Sequence, residues 1–494
     1  MSVDVVIVGG GIAGLTAAYE LNRRGVAFLL LERAARPGGV IFSETTDGFT
    51  IDAGPDALLI QKPDGIQLCE ELGLGDRLVS TLPPRLAFIQ RGRTLYPLPA
   101  ASVLGIPTRI APFVRTGLFS WRAKLRMGAE LFVPARRDGR DESIGTFMTR
   151  RFGREATTYL AEPLLAGIHA GDVDRLSLGA LFPRFADAEH KHGSLIRAFR
   201  RRTGRPSAEG AFKSLPGGLS EMVRALVSTL PPEAVRTNAA VTHVGKSAAG
   251  RTFRVEMSGE MSGGVACECR ALVLSTPAYV TAALIADEDA EVARLCAEIP
   301  YASIATVALA FPREAVTHPL NGSGYVVPRT EESGILAATW LSSKWPHRAP
   351  EGKVLLRTFI GGTRDPAALA QSDADLIARS LAAIGPVLGI RGDPLFTRVY
   401  RFDRASAQHE VGHLDRVKAV DRLLSAHQGL FLTGSGLRGV GIPDCVADAR
   451  ATAVKVVEWL GTVRLPSTSL RPGKPDTSAK SATTEDTERE QRTQ

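Results

Sequence analysis

The stretch VDVVIVGGGIAGLTAAYELNRRGVAFLLLE, residues 3–32, limits what this chain can fold into more than any other. Six mostly β-branched residues run into Gly9-Gly10-Gly11, apolar residues then recur at helical spacing, and after Arg24-Gly25 a second apolar run ends on Glu32. The pattern predicts strand, tight turn, helix and strand, a βαβ unit. Gly9-x-Gly11-x-x-Gly14 is the dinucleotide spacing: Gly9 frees the turn, Gly11 lets a diphosphate approach the backbone, and Gly14 lets helix close on strand. Glu32 follows at the end of the second strand, where a carboxylate accepts hydrogen bonds from both hydroxyls of an adenosine ribose. An arginine there would suit a 2′-phosphate, so Glu32 argues against one.

Length and charge bound the rest. At 494 residues there is chain for about three domain-sized units. Sixty Lys and Arg against 52 Asp and Glu give +8, which favours an anionic substrate or surface. No nucleic-acid-binding signature accompanies that charge, so nucleic acid is not an expected partner. Cys69, Cys267, Cys269, Cys296 and Cys445 have neither disulfide-framework nor zinc-ligand spacing, and reduced thiols in a cytoplasmic protein with no metal are expected. The N-terminus enters a core strand without a signal-peptide pattern, and no apolar run reaches the ~18 residues of a membrane span.

Small residues recur after the ribose carboxylate, in Arg36-Pro37-Gly38-Gly39 and in DGFTIDAGPDA, residues 47–57, as an extended cofactor lying over the backbone would need. Residues 103–137 are helical in period and carry seven Arg or Lys against Glu130 alone. With Phe113, Phe119 and Trp121 this segment suits an anionic bilayer surface, or else a solvated helical face. Strand-like runs between 304 and 360 predict an antiparallel sheet, helical period returns at 373–389, and 464–494 reads as a disordered tail.

Residues 430–460 read LFLTGSGLRGVGIPDCVADARATAVKVVEWL: a short strand, a loop with Gly434, Gly436, Gly439 and Gly441, then a helix opened by Pro443 and Asp444. The positive end of that helix would stabilise negative charge, such as a reduced flavin carries at its N1/O2 edge. Glycine loops at opposite ends of the chain fit one long cofactor, and FAD has that length.

The N-terminal unit with DGFTIDAGPDAL, the stretch AGDVDRLSLGALFPRFADAEHKHGSLIRA (170–198), KSLPGGLSEMVRAL and GVGIPDC resemble the FAD-dependent porphyrinogen oxidases of haem biosynthesis, from residue 1 to about 460. The resemblance implies an α/β fold in three parts. A Rossmann-like FAD-binding domain is assembled from 1–84, 212–300 and 396–463. Residues 85–211 form a helical subdomain at a membrane surface, and 301–395 an α+β substrate domain with an antiparallel sheet. It implies cofactor contacts from Gly9, Gly10, Gly11, Ile12, Ala13 and Gly14; from Glu32, Arg33 and Val40; from Gly54, Pro55, Asp56 and Ala57; from the Val244 backbone; and from Ser435, Val440, Gly441 and Ile442. Val40 departs from the Arg or Trp common at that position. Arg85 matches an arginine placed against a propionate, a carboxylate that a guanidinium fork suits. Ser323 and Val326 match a substrate loop where a Phe often replaces Ser323, and Phe359 falls where a Met commonly meets the macrocycle.

The implied reaction acts on CH–CH groups: three rounds of hydride transfer to flavin N5, each followed by reoxidation with oxygen to hydrogen peroxide. No side chain is named as general base, because the pyrrole nitrogens shed protons as the ring aromatises; His169 reads as packed, and His190 and His192 as surface. A cytoplasmic location, peripheral at the membrane, and hand-over to the next haem-pathway enzyme follow from the same resemblance. Ser323 and the Pro443-Asp444 pair tilt the substrate toward coproporphyrinogen III over protoporphyrinogen IX. The rivals are an amine oxidase or carotenoid desaturase on the same scaffold, and a non-enzymatic escort protein of that fold.

Overall fold

The computed structural model describes residues 2–98, 102–103, 106–107, 110–200, 210–247, 250, 252–258 and 266–462, so the expected tail at 464–494 lies outside the described residues. The opening strand Ser2–Val8 lies between Phe28–Leu31 and Ala266–Leu274, parallel to both. The short strand Leu430–Leu432 joins Ala266–Leu274 on its free end, again in parallel. Register matches Leu31 to Val8, Val8 to Leu274 and Leu274 to Leu432. Four strands from distant parts of the chain therefore end side by side, and their carboxyl ends open on one crevice, where ligands bind in doubly wound sheets. Val235–Arg236 completes one edge; Phe253–Ser258 and Ala240–Lys246 add an antiparallel extension at the other. Near-continuous Val, Ile and Leu in the parallel strands reflect burial on both faces. The first helix, Ile12–Arg23, and the terminal helix, Ile442–Thr462, pack together into one of the two cores beside this sheet.

A second seven-stranded sheet runs in the order Phe396–Ala407, Tyr301–Pro312, Lys353–Gly361, Ala337–Trp340, Gly324–Val326, Phe88–Arg91, Thr94–Pro97. Leu309, Phe311, Trp340 and Leu356 on one face are covered by the helix Asp373–Leu388. Two parts of this sheet depart from the expected division. Phe396–Ala407 was placed with the nucleotide unit but pairs antiparallel with Tyr301–Pro312, and Phe88–Pro97, placed with the helical subdomain, forms the opposite edge. An alternating run reveals its own conformation but not which strand it will pair with.

Helices Trp121–Gly128, Ile144–Phe152, Pro183–His192 and Leu195–Arg200, with the π-helical turn segment Thr157–Ala166, form a third unit around Phe147, Phe152, Phe185 and Phe199. Inside it the fully buried Arg151 donates to Glu130, which also accepts from Ser194 Oγ (2.5 Å) and Leu195 N (2.9 Å). Trp121, Leu125 and Phe132 are 67, 74 and 83% exposed, beside Arg122 and Lys124. Part of the 103–137 segment, residues 104–105 and 108–109, lies outside the described residues. Among the described residues no helix is long and apolar enough to cross a membrane.

Candidate cofactor and substrate site

The glycine turn is built as its spacing requires. Gly9 has φ +103°, open to glycine, and a Cβ on Gly14 would stand 2.0 Å from Gly9 O, which shows how closely helix meets strand. A Cβ on Gly11 would meet nothing within 4 Å: that side of the turn is free for a ligand. Glu32 reaches back over the turn, accepting from Gly10 N–H (2.7 Å) and, through its other oxygen, from Ala34 N–H (2.8 Å). Gly38 N donates to Gly10 O (2.7 Å), laying the Gly38-Gly39 loop beside the turn, and a Cβ on Gly54 would strike Val40 O at 2.1 Å. These contacts line up Gly9–Gly14, Glu32, Gly39–Val40 and Gly54 along one trough. Val244 is buried, and the chain enters its strand from Ala239, whose N–H donates to Glu32 O (2.9 Å).

At the far end, Gly434 lies against Ala13 and Ser275, so the C-terminal loop meets the start of the first helix. Asp444 caps its own helix by accepting from Gly441 N (3.3 Å), and Lys62 Nζ sits 2.7 Å from both Asp444 oxygens. The helix start expected to face a flavin edge thus carries an ion pair that sequence reasoning missed. Two histidines behind the loop were missed as well. The rings of His409 and His413 stack 3.8 Å apart, with His409 Nε2 3.0 Å from Ser435 O and His413 Nε2 2.8 Å from Leu437 O. Their only sequence signal is the i, i+4 spacing in QHEVGH.

Burial, with the neighbouring His413, pushes the His409 pKa down to about 3; burial lowers that of His413 as well. Both rings are neutral when folded at ordinary pH. Below about pH 6.5 the unfolded chain takes up protons that folded His409 refuses, so stability falls as pH drops from there toward 3, by at most about 1.4 kcal/mol per unit per group. His409→Gln is expected to flatten the pH dependence of urea unfolding between pH 6 and 4; superimposable slopes for variant and parent would refute this.

The second sheet places two of the predicted substrate residues, Val326 and Phe359, on one face. Val326, Ala337, Phe359, Thr306 and Tyr400 are successive partners across five strands, so they share one face. Thr306 Oγ1 donates to Ala53 O (2.8 Å), which turns that face toward the 53–57 segment, and Val326 packs on the helical core. Phe359 is only partly buried although Val354–Thr358 and Ile360 around it are buried. Ser323 N donates to Leu86 O (2.7 Å), which places Ser323 beside Leu86, the residue after Arg85. Arg85 is anchored by its Nε to Thr81 O (3.0 Å) and Oγ1 (3.1 Å), leaving both terminal nitrogens without a partner among the described residues. His169 is partly buried and its pKa falls to about 4, through burial and then Lys62; His190 and His192 are exposed, as expected.

Asp56, expected among the cofactor contacts, instead turns its carboxylate into the seam between the two sheets. It accepts from Lys344 Nζ (2.7 Å), Trp345 Nε1 (2.8 Å) and Arg357 Nη2 (3.1 Å), and these cations outweigh its burial to hold the carboxyl well below the usual range. Arg357 also donates to Asp52 O and, at 2.7 Å, to Gly54 O. Arg348 pairs with Asp52 at 2.7 Å, both fully buried. The carbonyls of Asp52, Ala53 and Gly54 are thereby pinned to the second sheet.

A cleft of about 470 Å³ opens along this trough, lined by Arg33, Gly39, Val40 and Tyr279 among others. The open space beside Gly11 and the excluded Cβ positions at Gly14 and Gly54 fit FAD. Among the described residues no group of His, Cys, Asp and Glu could hold a metal ion.

The family model for flavin containing amine oxidoreductases matches residues 12–457. The chain is 36% identical to the coproporphyrinogen III oxidase of Bacillus subtilis (strain 168), over 92% of this chain and 98% of that protein. It is 28% identical to protoporphyrinogen oxidase 1, chloroplastic, of Arabidopsis thaliana, over 93% and 89%. A crystal structure from Exiguobacterium sp. 255-15, provisionally described as a protoporphyrinogen oxidase, superimposes with a TM-score of 0.82 at 31% identity, over 92% and 99% of the two chains. Cyclohexylamine oxidase from Brevibacterium oxydans IH-35A shares the fold, with a TM-score of 0.66 at 15% identity.

Proposed function

Because the chain belongs to the flavin-containing amine oxidoreductases and, within them, to the FAD-dependent porphyrinogen oxidases of haem biosynthesis, we propose that its substrate is coproporphyrinogen III, oxidised to coproporphyrin III with oxygen as acceptor. Six electrons leave the macrocycle, so three oxygen molecules are reduced to three of hydrogen peroxide per porphyrin. FAD, when bound, supplies the two-electron acceptor at each round. The chain supplies orientation: Gly9–Gly14 and Glu32 hold the adenosine half, the pinned 54–57 backbone and the Val440–Ile442 loop hold the ring half, and Phe359 and Val326 offer an apolar face to the macrocycle.

The observation that supports the substrate reading is the backbone bond from Ser323 N to Leu86 O, which brings the Ser323 loop to the chain segment that follows the anchored Arg85. An anchored guanidinium with free terminal nitrogens suits a propionate, and a small hydroxyl at 323 leaves room for a more carboxylated ring. Each porphyrinogen supplied to purified protein in air, followed by porphyrin fluorescence, tests this. Coproporphyrinogen III should be oxidised faster than protoporphyrinogen IX, and no acceleration of either over an enzyme-free control would overturn the function. Arg85→Ala should raise KM by ~10-fold, the size of one lost charged hydrogen bond, with kcat and flavin content unchanged. Loss of flavin, or parental KM, would remove Arg85 from the propionate site.

A further inference from the structure

We propose that Arg404, on the edge strand of the second sheet, binds the FAD diphosphate from the side opposite the glycine turn, and that its stack on Tyr279 closes the trough. This rests on the reading of the trough as an FAD site.

The ~470 Å³ cleft is lined by Arg33, Gly39 and Val40, and also by Tyr279 and Arg404. Between a ribose at Glu32 and a ring near Val440, this is where a diphosphate would pass. Its negative charge needs partners, and the candidate cations differ in their freedom. Arg36 is committed to the carbonyls of Gly39 (3.0 Å) and Ile41 (3.2 Å), and Arg401 pairs with Asp373. Among the described residues Arg33 and Arg404 have no acidic partner. Asp403, the acid of the same stretch, accepts from Ser303 Oγ (2.8 Å).

The backbone is shaped to aim Arg404. Pairing passes from Ala302–Ser406 to Ile304–Phe402, so residues 403–405 bulge opposite Ser303, and Ser303 Oγ accepts from Arg404 N–H (2.8 Å). Arg404 takes φ +43°, a left-handed conformation that is uncommon for arginine. Its guanidinium carbon then lies 3.6 Å from the centroid of the Tyr279 ring. Tyr279 belongs to the loop and helix after Ser275, whose Oγ donates to Gly9 O (2.8 Å), so the stack stands at the rim of the glycine turn. A strained backbone that places an unpaired cation at a cofactor cleft points to ligand binding.

Flavin-depleted parent, Arg404→Ala, Arg404→Lys and Tyr279→Ala proteins, titrated with FAD and separately with riboflavin, test the assignment. Arg404→Ala should weaken FAD by ~10-fold or more, as loss of a charge-assisted phosphate contact would, and leave riboflavin affinity unchanged. Arg404→Lys should recover part of the loss, and Tyr279→Ala should fall between. Unchanged FAD affinity, or equal losses for FAD and riboflavin, would overturn the role of Arg404. A parent protein that takes up no FAD would overturn the trough reading itself.

Discussion

Gly14→Ala is expected to purify without flavin. The added methyl would sit 2.0 Å from Gly9 O and 2.5 Å from Ser275 Oγ, and the first of these is backbone that a rotamer change cannot move. Helix and strand must separate, at an overpacking cost of roughly 1–3 kcal/mol, and the turn that presents N–H groups to the diphosphate is displaced with them. Flavin affinity should fall by more than ~100-fold, about 2.7 kcal/mol, with a lowered unfolding midpoint. Gly11→Ala gives the contrast. Its methyl meets no protein atom within 4 Å, so folding stability should be close to parental while flavin is lost, because that methyl fills space left for the ligand. Flavin absorbance per protein and urea unfolding on both variants check the pair; a Gly14→Ala protein with a full flavin complement would show that the turn does not hold the cofactor.

Arg357→Met should produce the second large effect. Arg357 is 1% exposed and holds Asp52 O, Gly54 O and the Asp56 carboxylate in one grip. Removing one partner from a buried ionic cluster costs about 3–5 kcal/mol, because the remaining charge stays desolvated. Asp56 keeps Lys344 and Trp345, which puts the expected loss nearer the lower value. The freed 53–57 segment should also loosen the ring half of the cofactor, lowering kcat more than it raises KM. Adding Asp56→Asn should recover part of the stability, since it removes the stranded charge. A stability loss below about 1 kcal/mol would show that the seam does not depend on this arginine.

The first 32 residues could be read because strand, turn, helix and carboxylate are written in local patterns that each demand a residue type at a fixed spacing. The C-terminal loop could be read for the same reason. The seam could not: Asp52 with Arg348, and Asp56 with Arg357, join residues about 300 apart, and a lone Asp or Arg carries no mark of its partner. Phe396–Ala407 shows the intermediate case, its strand pattern visible and its sheet not. The Asp56 carboxylate turns into the seam, which its motif did not reveal, since a motif fixes where the chain runs before it fixes where each side chain points.

Val8, Leu31, Leu274 and Leu432 end in adjacent strands, although the last is encoded more than 400 positions after the first. A nascent chain emerging from the ribosome carries the glycine turn early and the closing Gly434–Gly441 loop only when synthesis is nearly complete. Capture of the flavin is thus a late event of maturation, and a truncation before the final helix should forfeit the prosthetic group even with the opening fingerprint intact.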